Sequence, residues 1–161
     1  MTGISTEEQQ ARLVVRAYQG CDWAEWLRMS RALFPGASVE DDECEMRASL
    51  TRDDAEVFVA VRPDGLLAGY VEVDTRSYAD GCSTTPVGYI EAWYVDPDLR
   101  HMGIGRQLLA AAEGWARARG YREMASDALL ENDLSHRAHR RAGYSEVDRV
   151  VQYRKDLTHQ A

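Results

Sequence analysis

A chain of 161 residues, 45% apolar and 29% charged, has the length of one domain and the composition of a globular protein. No apolar run approaches the roughly 18 residues a membrane helix needs, and the opening MTGISTEEQQARLVVRAYQG lacks the charged-then-apolar layout of a signal peptide, so a cytoplasmic, membrane-free protein is expected. A net charge of −8 disfavours nucleic acid and suits a cationic partner; the basic stretches RHMGIGR and HRAHRR are too short to form a phosphate footprint.

LVVRAY, near Leu13, reads as a first strand. DWAEWLRMSRALF sets Trp23, Trp26, Leu27, Ser30 and Leu33/Phe34 near a 3.6-residue period and predicts a helix, ended by Pro35-Gly36. SVEDDECEMRASLTR predicts a second helix, with Ser38 as N-cap and acids in its first turn, where the helix dipole favours them. AEVFVAVR and LLAGYVEVD are strands joined by the turn RPDG. TRSYADGCSTTP is a long loop and VGYIEAWYV a strand. A helix follows from about Gly105 to Arg119, closed by Gly120, with Ile104, Leu108, Ala111/Ala112 and Trp115 on one face. REMASD is a short strand, LSHRAHRRAG a helix ending on Gly143, and YSEVDR and VVQYRK are closing strands. Strands and helices alternate only in the second half, which implies an α/β (α+β) fold in a single domain, with a mixed sheet and a parallel strand pair around the central helix.

Cys21, Cys44 and Cys82 are odd in number and widely spaced, with no CxxC and no metal-ligand spacing, so reduced thiols and no metal are expected. The stretch VDPDLRHMGIGRQLLAAAEGWARARGY carries a denser signal. A helix N-terminus leaves its first N–H groups unpaired and partly positive, a ready anion site. Gly103 and Gly105 remove side chains that would keep a phosphate off the backbone, and Arg100 adds a formal charge, so the segment suits a diphosphate. The alternative is a tight turn whose glycines only satisfy dihedral angles. Neither a Walker lysine loop nor the third glycine of a dinucleotide fingerprint is present.

WYVDPDLRHMGIGRQLLAAAEGWARARGY resembles the acetyl-CoA-binding segment of the GCN5-related N-acetyltransferases, whose [Q/R]-x-x-G-x-[G/A] signature is matched by Arg100, Gly103 and Gly105. That resemblance is strong over Gly69 to Gly143, and it implies a mixed central sheet splayed between strands 4 and 5 and flanked by helices. A narrower resemblance, over roughly Cys21 to Lys155, is to the aminoglycoside 6′-N-acetyltransferases: Ser126-Asp127, Asn132, Ser135, His139 and Gly143-Tyr144 fit that subgroup. Phe34-Pro35 departs from its tryptophan-proline pattern at the acceptor wall, and the N-terminus is longer by several residues.

The resemblance implies acetyl-CoA as co-substrate, its pyrophosphate on the backbone N–H groups of His101, Met102, Gly103, Ile104, Gly105 and Arg106 beside Arg100. It also implies an N–H near Tyr94 or Val95 at the acetyl carbonyl oxygen, a donor of the kind that supplies a large catalytic contribution. Glu91 and Asp127, on the strands flanking the splay, are the expected attractors of a cationic aminoglycoside and acceptors of its ammonium proton. The plainer readings are an exposed strand residue for Glu91 and a loop or cap residue for Asp127. Glu40 to Glu45, EDDECE, reads either as a steering rim or as a solvated acidic helix start. Tyr78 reads as a sugar-stacking residue or as packing, and Phe34 as part of the acceptor wall. His139 stands where most family members carry the tyrosine proposed to protonate the leaving thiolate. Asn132 is expected on the pantetheine arm, or as the N-cap of the following helix. The subgroup pairs through its C-terminal strands, which implies a homodimer with VVQYRK as an exposed edge. Two other readings remain: acetylation of another amine, such as a polyamine or a protein N-terminus, and a non-catalytic acyl-CoA-binding domain.

Overall fold

The computed structural model of the protein describes residues 13–158; the N-terminal extension through residue 12 lies outside them. The chain divides at Asp127–Ala128 into two compact units. The first holds β1 (Val14–Ala17), α1 (Trp23–Leu33), α2 (Val39–Ser49), β2 (Ala55–Val61), β3 (Leu67–Arg76), β4 (Val87–Val95), α3 (Ile104–Ala118) and β5 (Met124–Ser126). The second holds α4 (Asp133–Arg141). Among the described residues no helix is long and apolar enough to cross a membrane.

The sheet runs β1-β2-β3-β4-β5, antiparallel through β4 and parallel between β4 and β5. The sequence signals act locally. Ser38 caps α2 by accepting the Asp41 N–H at 3.1 Å, and the 62–65 turn closes with the Gly65 N–H donating to the Arg62 carbonyl at 2.9 Å. Gly120 ends α3 at φ 79°, a left-handed conformation open to glycine without penalty. Asp22 is drawn out of α1 into the preceding 3-10 turn, where it is buried and accepts both guanidinium donors of Arg16, at 2.7 and 2.9 Å.

Two cores lie on opposite faces of the sheet. Trp26 and Met29 of α1 and Met46 of α2 pack on Val57, Val59, Leu67, Tyr70, Ala92 and Tyr94. On the other face α3 buries Ile104, Leu108, Leu109, Ala112, Trp115 and Ala116, the apolar stripe its sequence predicts. Each large buried side chain removes enough apolar surface to contribute about 1.5–3 kcal/mol.

Two strand pairings set the geometry around β4. β5 contributes only Met124, Ala125 and Ser126, opposite Gly88, Tyr89 and Ile90, so the outward edge of β4 has no strand beside it from Glu91 to Val95. This is the splay implied by the resemblance. On the β3 side, Glu72 pairs with Ala92 and Val73 with Ile90, which makes Glu91 the extra residue of a β-bulge, a feature common beside active sites.

The two closing strands expected at YSEVDR and VVQYRK do not form: residues 145–157 carry no strand. Their valines and tyrosine have strand propensity, but that propensity reports a fit to a paired, half-buried surface. Here Val147, Val150 and Val151 are exposed, and Tyr153 is 92% exposed, with no ladder to join.

Candidate active site

The site is built where β4 loses its neighbour. The Asp96 N–H donates to the Ala68 carbonyl of the chain beside it at 2.9 Å. Strand alternation then turns the Tyr94 N–H toward β3 as well, and the N–H groups of Trp93 and Val95 outward into the gap. Of the two donors expected from sequence, Val95 faces the opening, while Tyr94 buries its ring in the core. The end of β4 is pinned. The Val95 carbonyl accepts Arg100 Nε at 2.9 Å. Buried Asp96 accepts Arg28 at 3.0 and 3.1 Å and Arg62 at 2.7 Å. Burial alone would raise the Asp96 pKa, but the two guanidinium groups hold it below the usual value.

The turn after β4 has the backbone expected of an anion site. His101 and Gly103 both adopt left-handed backbone, φ 66° and 80°, and Gly103 starts α3 with no side chain capping it. Arg106 and His101 are exposed, Gly105 and Met102 partly exposed, and Ile104 is locked in the core. Gly105 also has a packing use. A Cβ there would lie 2.9 Å from the Trp93 ring, so its bareness seats α3 on β4 and leaves the phosphate approach to the backbone around it. Arg100 donates its Nε to β4, and its guanidinium lies 5.8 Å from the centroid of the Tyr94 ring. An uncapped helix start, a left-handed glycine and an unpaired strand edge fit a pyrophosphate with an extended pantetheine arm behind it. Among the described residues no group of three or more His, Cys, Asp or Glu is placed to hold a metal.

On the acceptor side the structure joins the two expected carboxylates through residues that sequence reasoning missed. Tyr89 donates its hydroxyl to Asp127 Oδ1 at 2.7 Å. Arg76 grips Glu91 with two parallel bonds, Nε to Oε1 at 2.9 Å and Nη2 to Oε2 at 2.8 Å, and lies 3.4 Å over the Tyr89 ring. The bulge keeps Glu91 on the Tyr89 face of β4. Asp127 is exposed and Glu91 half-buried. Burial pushes the Glu91 pKa up, Arg76 opposes this, Asp74 and Asp127 add to it, and the net shift is upward. Tyr89, two residues before Glu91, was readable as a same-face neighbour. Arg76, on another strand, was not.

Glu72 is a second missed carboxyl. It accepts the Trp26 indole N–H at 3.0 Å. Burial raises its pKa from 4.5 to about 7; the indole bond opposes this, and Asp42, Glu91 and Glu45 reinforce it. The raised value means the folded chain holds a proton between about pH 4.5 and 7 that the unfolded chain has lost. That contribution to stability is present below pH 4.5 and disappears as pH rises through 7. Glu72→Gln, which keeps an acceptor for Trp26, is therefore expected to raise the melting temperature by about 2–5 °C at pH 8, with the gain closing near pH 5. Paired thermal melts at the two pH values check this; a gain that does not depend on pH excludes the titration.

The other expected residues have plainer surroundings. Within EDDECE, Asp42 turns inward, 8% exposed, and accepts Ser30 Oγ at 2.9 Å, while Glu43 pairs with Arg31 and Arg47, so the stretch is only partly a surface rim. Phe34 ends α1 at 45% exposure. Tyr78 is 68% exposed and donates its hydroxyl to Asp80 Oδ1 at 2.6 Å. In the second unit, Asn132 caps α4 by accepting the Ser135 N–H at 3.0 Å, the plainer of its two expected roles. His139 Nδ1 lies 2.8 Å from the Ser135 carbonyl oxygen and 3.1 Å from the Ser135 hydroxyl. The cysteines are free thiols.

A sheet splayed at its fourth strand, with an uncapped glycine-led helix after it, is the architecture that the resemblance to the N-acetyltransferases implies. Residues 22–144 match the Acetyltransferase (GNAT) family, and the chain belongs to that family. It is 40% identical over 144 residues to an aminoglycoside N(6′)-acetyltransferase type 1 of Stenotrophomonas maltophilia, covering 89% of this chain and 93% of that one. It is 40% identical over 147 residues to the protein of the same name from Klebsiella aerogenes, covering 89% and 97%. Among solved structures, AAC(6′)-Iy in complex with the bisubstrate analog CoA-S-monomethyl-acetylneamine superposes with a TM-score of 0.84 at 31% identity, covering 91% of this chain and 99% of that one.

Proposed function

We propose that the protein transfers an acetyl group from acetyl-CoA to the 6′-amine of aminoglycosides by direct attack, and that its two units act as one acetyltransferase domain. The observation that carries this reading is the pair of carboxylates, Glu91 and Asp127, drawn through Arg76 and Tyr89 to the point where β4 and β5 separate. The relatives named for 6′-acetylation support the choice of acceptor.

Acetyl-CoA supplies an acyl group activated as a thioester. The N–H groups at the start of α3, with Arg100, hold its pyrophosphate, and the Val95 N–H lies along the edge where it meets the acetyl carbonyl oxygen. Such a fixed donor favours charge that develops only during transfer. Asp127 takes the ammonium proton, directly or through water, and frees the amine lone pair. The Tyr89 phenol stays protonated, because burial and the Asp127 charge both push its pKa up, so it orients that carboxylate as a pure donor. His139 is the residue we assign to return a proton to the leaving thiolate. The Asn132 amide, with its oxygen used as a cap, offers its nitrogen to the pantetheine arm, and Phe34 and Tyr78 supply apolar surface to the sugar. We place the enzyme in the cytoplasm as a homodimer. The exposed apolar side chains of Val147, Val150, Val151 and Tyr153 support pairing.

Thiol release from acetyl-CoA, followed with neomycin and then with paromomycin, tests the reading. The two differ at the 6′ position, amine against hydroxyl. Release with neomycin alone is the expected result. Release with both moves the reaction to another amine, and release with neither removes aminoglycosides as substrates.

A further inference from the structure

We propose that Arg76 is an internal counter-cation, holding the Glu91 carboxylate in the place that an acceptor ammonium takes when it binds. The proposal rests on the reading of Glu91 as part of the acceptor site. Arg76 is the last residue of β3, opposite Val87 in the ladder, and its side chain runs over the sheet face to Glu91. Its guanidinium sits between the Tyr89 ring face, 3.4 Å away, and both Glu91 oxygens, at 2.8 and 2.9 Å. An aromatic face combined with a carboxylate is the environment that recognises an organic cation.

The fold has a reason to fill this place itself. Glu91 is half-buried, and a carboxylate withdrawn from water without a partner is unfavourable. Asp127 differs: it receives the neutral Tyr89 hydroxyl and forms no ion pair among the described residues, so its charge is open to an incoming ammonium. The Arg76 side chain is 43% exposed and stands at a strand end before the 77–86 loop, so the guanidinium can swing into water without breaking a ladder bond. Exchange of one cation for another at Glu91 leaves the local charge unchanged. A polycationic acceptor then places one ammonium at Asp127 and a second at Glu91, in competition with Arg76. The arginine sets a threshold: a singly charged amine does not displace it, and an acceptor with several ammonium groups does.

The test titrates neomycin calorimetrically into the full-length protein, Arg76→Gln, and the double variant Arg76→Gln/Glu91→Gln, with thiol release measured in parallel. Arg76→Gln is expected to bind neomycin about three- to tenfold more tightly, the scale of a half-exposed ion pair, and the double variant is expected to lose that gain. Arg76→Lys, which keeps the charge and loses the two-pronged grip, is expected to fall between. Neomycin affinity unchanged or weakened in Arg76→Gln overturns the proposal and makes Arg76 part of the pocket wall. If the wild type acetylates neomycin while its affinity ignores Arg76, this proposal alone falls. If the wild type neither acetylates nor binds neomycin, the substrate reading falls with it.

Discussion

Asp127→Asn is expected to lower kcat for 6′-amine acetylation by about 10²–10³-fold while changing acetyl-CoA affinity by less than about twofold. The substitution separates charge from position. An asparagine Oδ1 still accepts the Tyr89 hydroxyl that now lies 2.7 Å from Asp127, so the side chain keeps its place at the end of β5. What disappears is the capacity to take a proton from the ammonium group. The proposed cofactor side is separate: among the described residues, Asp127 accepts from Tyr89, while Val95 and Arg100 bond to each other. Steady-state rates with neomycin, combined with a titration of acetyl-CoA, distinguish the two. Unchanged kcat removes Asp127 from the proton path, and a parallel loss of cofactor affinity points to a collapsed site.

Gly69→Ala is expected to be the most damaging single change to the sheet. A Cβ at this position would lie 2.5 Å from the Tyr94 carbonyl oxygen and 3.2 Å from both the Val95 Cα and Leu108 Cδ1. Two of these three atoms are backbone and cannot rotate away, so either β3 or β4 must shift. Overpacking of this kind costs about 3 kcal/mol, or a drop of about 6–12 °C in melting temperature for a chain of this size. β4 carries Val95, the donor proposed for the acetyl carbonyl, so a shift between the two strands is expected to lower acetyl-CoA affinity together with stability. Gly36→Ala, where nothing lies within 4 Å, provides the control and is expected to melt like the wild type. A Gly69→Ala protein as stable as the control contradicts the close approach of the two strands.

Much of this architecture was legible because its causes are local. The Ser38 cap, the 62–65 turn, Gly120 past the end of α3 and the apolar stripe of α3 are each decided within a few residues. The Arg100–Gly103–Gly105 spacing also marked a helix start correctly, and Gly105 in addition makes room for Trp93. What stayed hidden depends on partners distant in the chain. Trp26 and Glu72 meet across 46 residues, and Tyr89 and Asp127 across 38. Arg76 reaches Glu91 only through strand pairing and a bulge that periodicity cannot register. The closing strands failed for the complementary reason: valine-rich segments look like strands whether or not a partner edge exists.

The brevity of β5 has an evolutionary consequence. Strand register is held by paired residues, and on this side the last pair is Ile90 with Ser126. Insertions, deletions or rerouting of the chain from Asp127 onward therefore leave the ladder from β1 to β5 in step. Changes of length beyond Ser126 need no compensating shift in β3 or β4, the strands that carry Arg76, Tyr89 and Glu91.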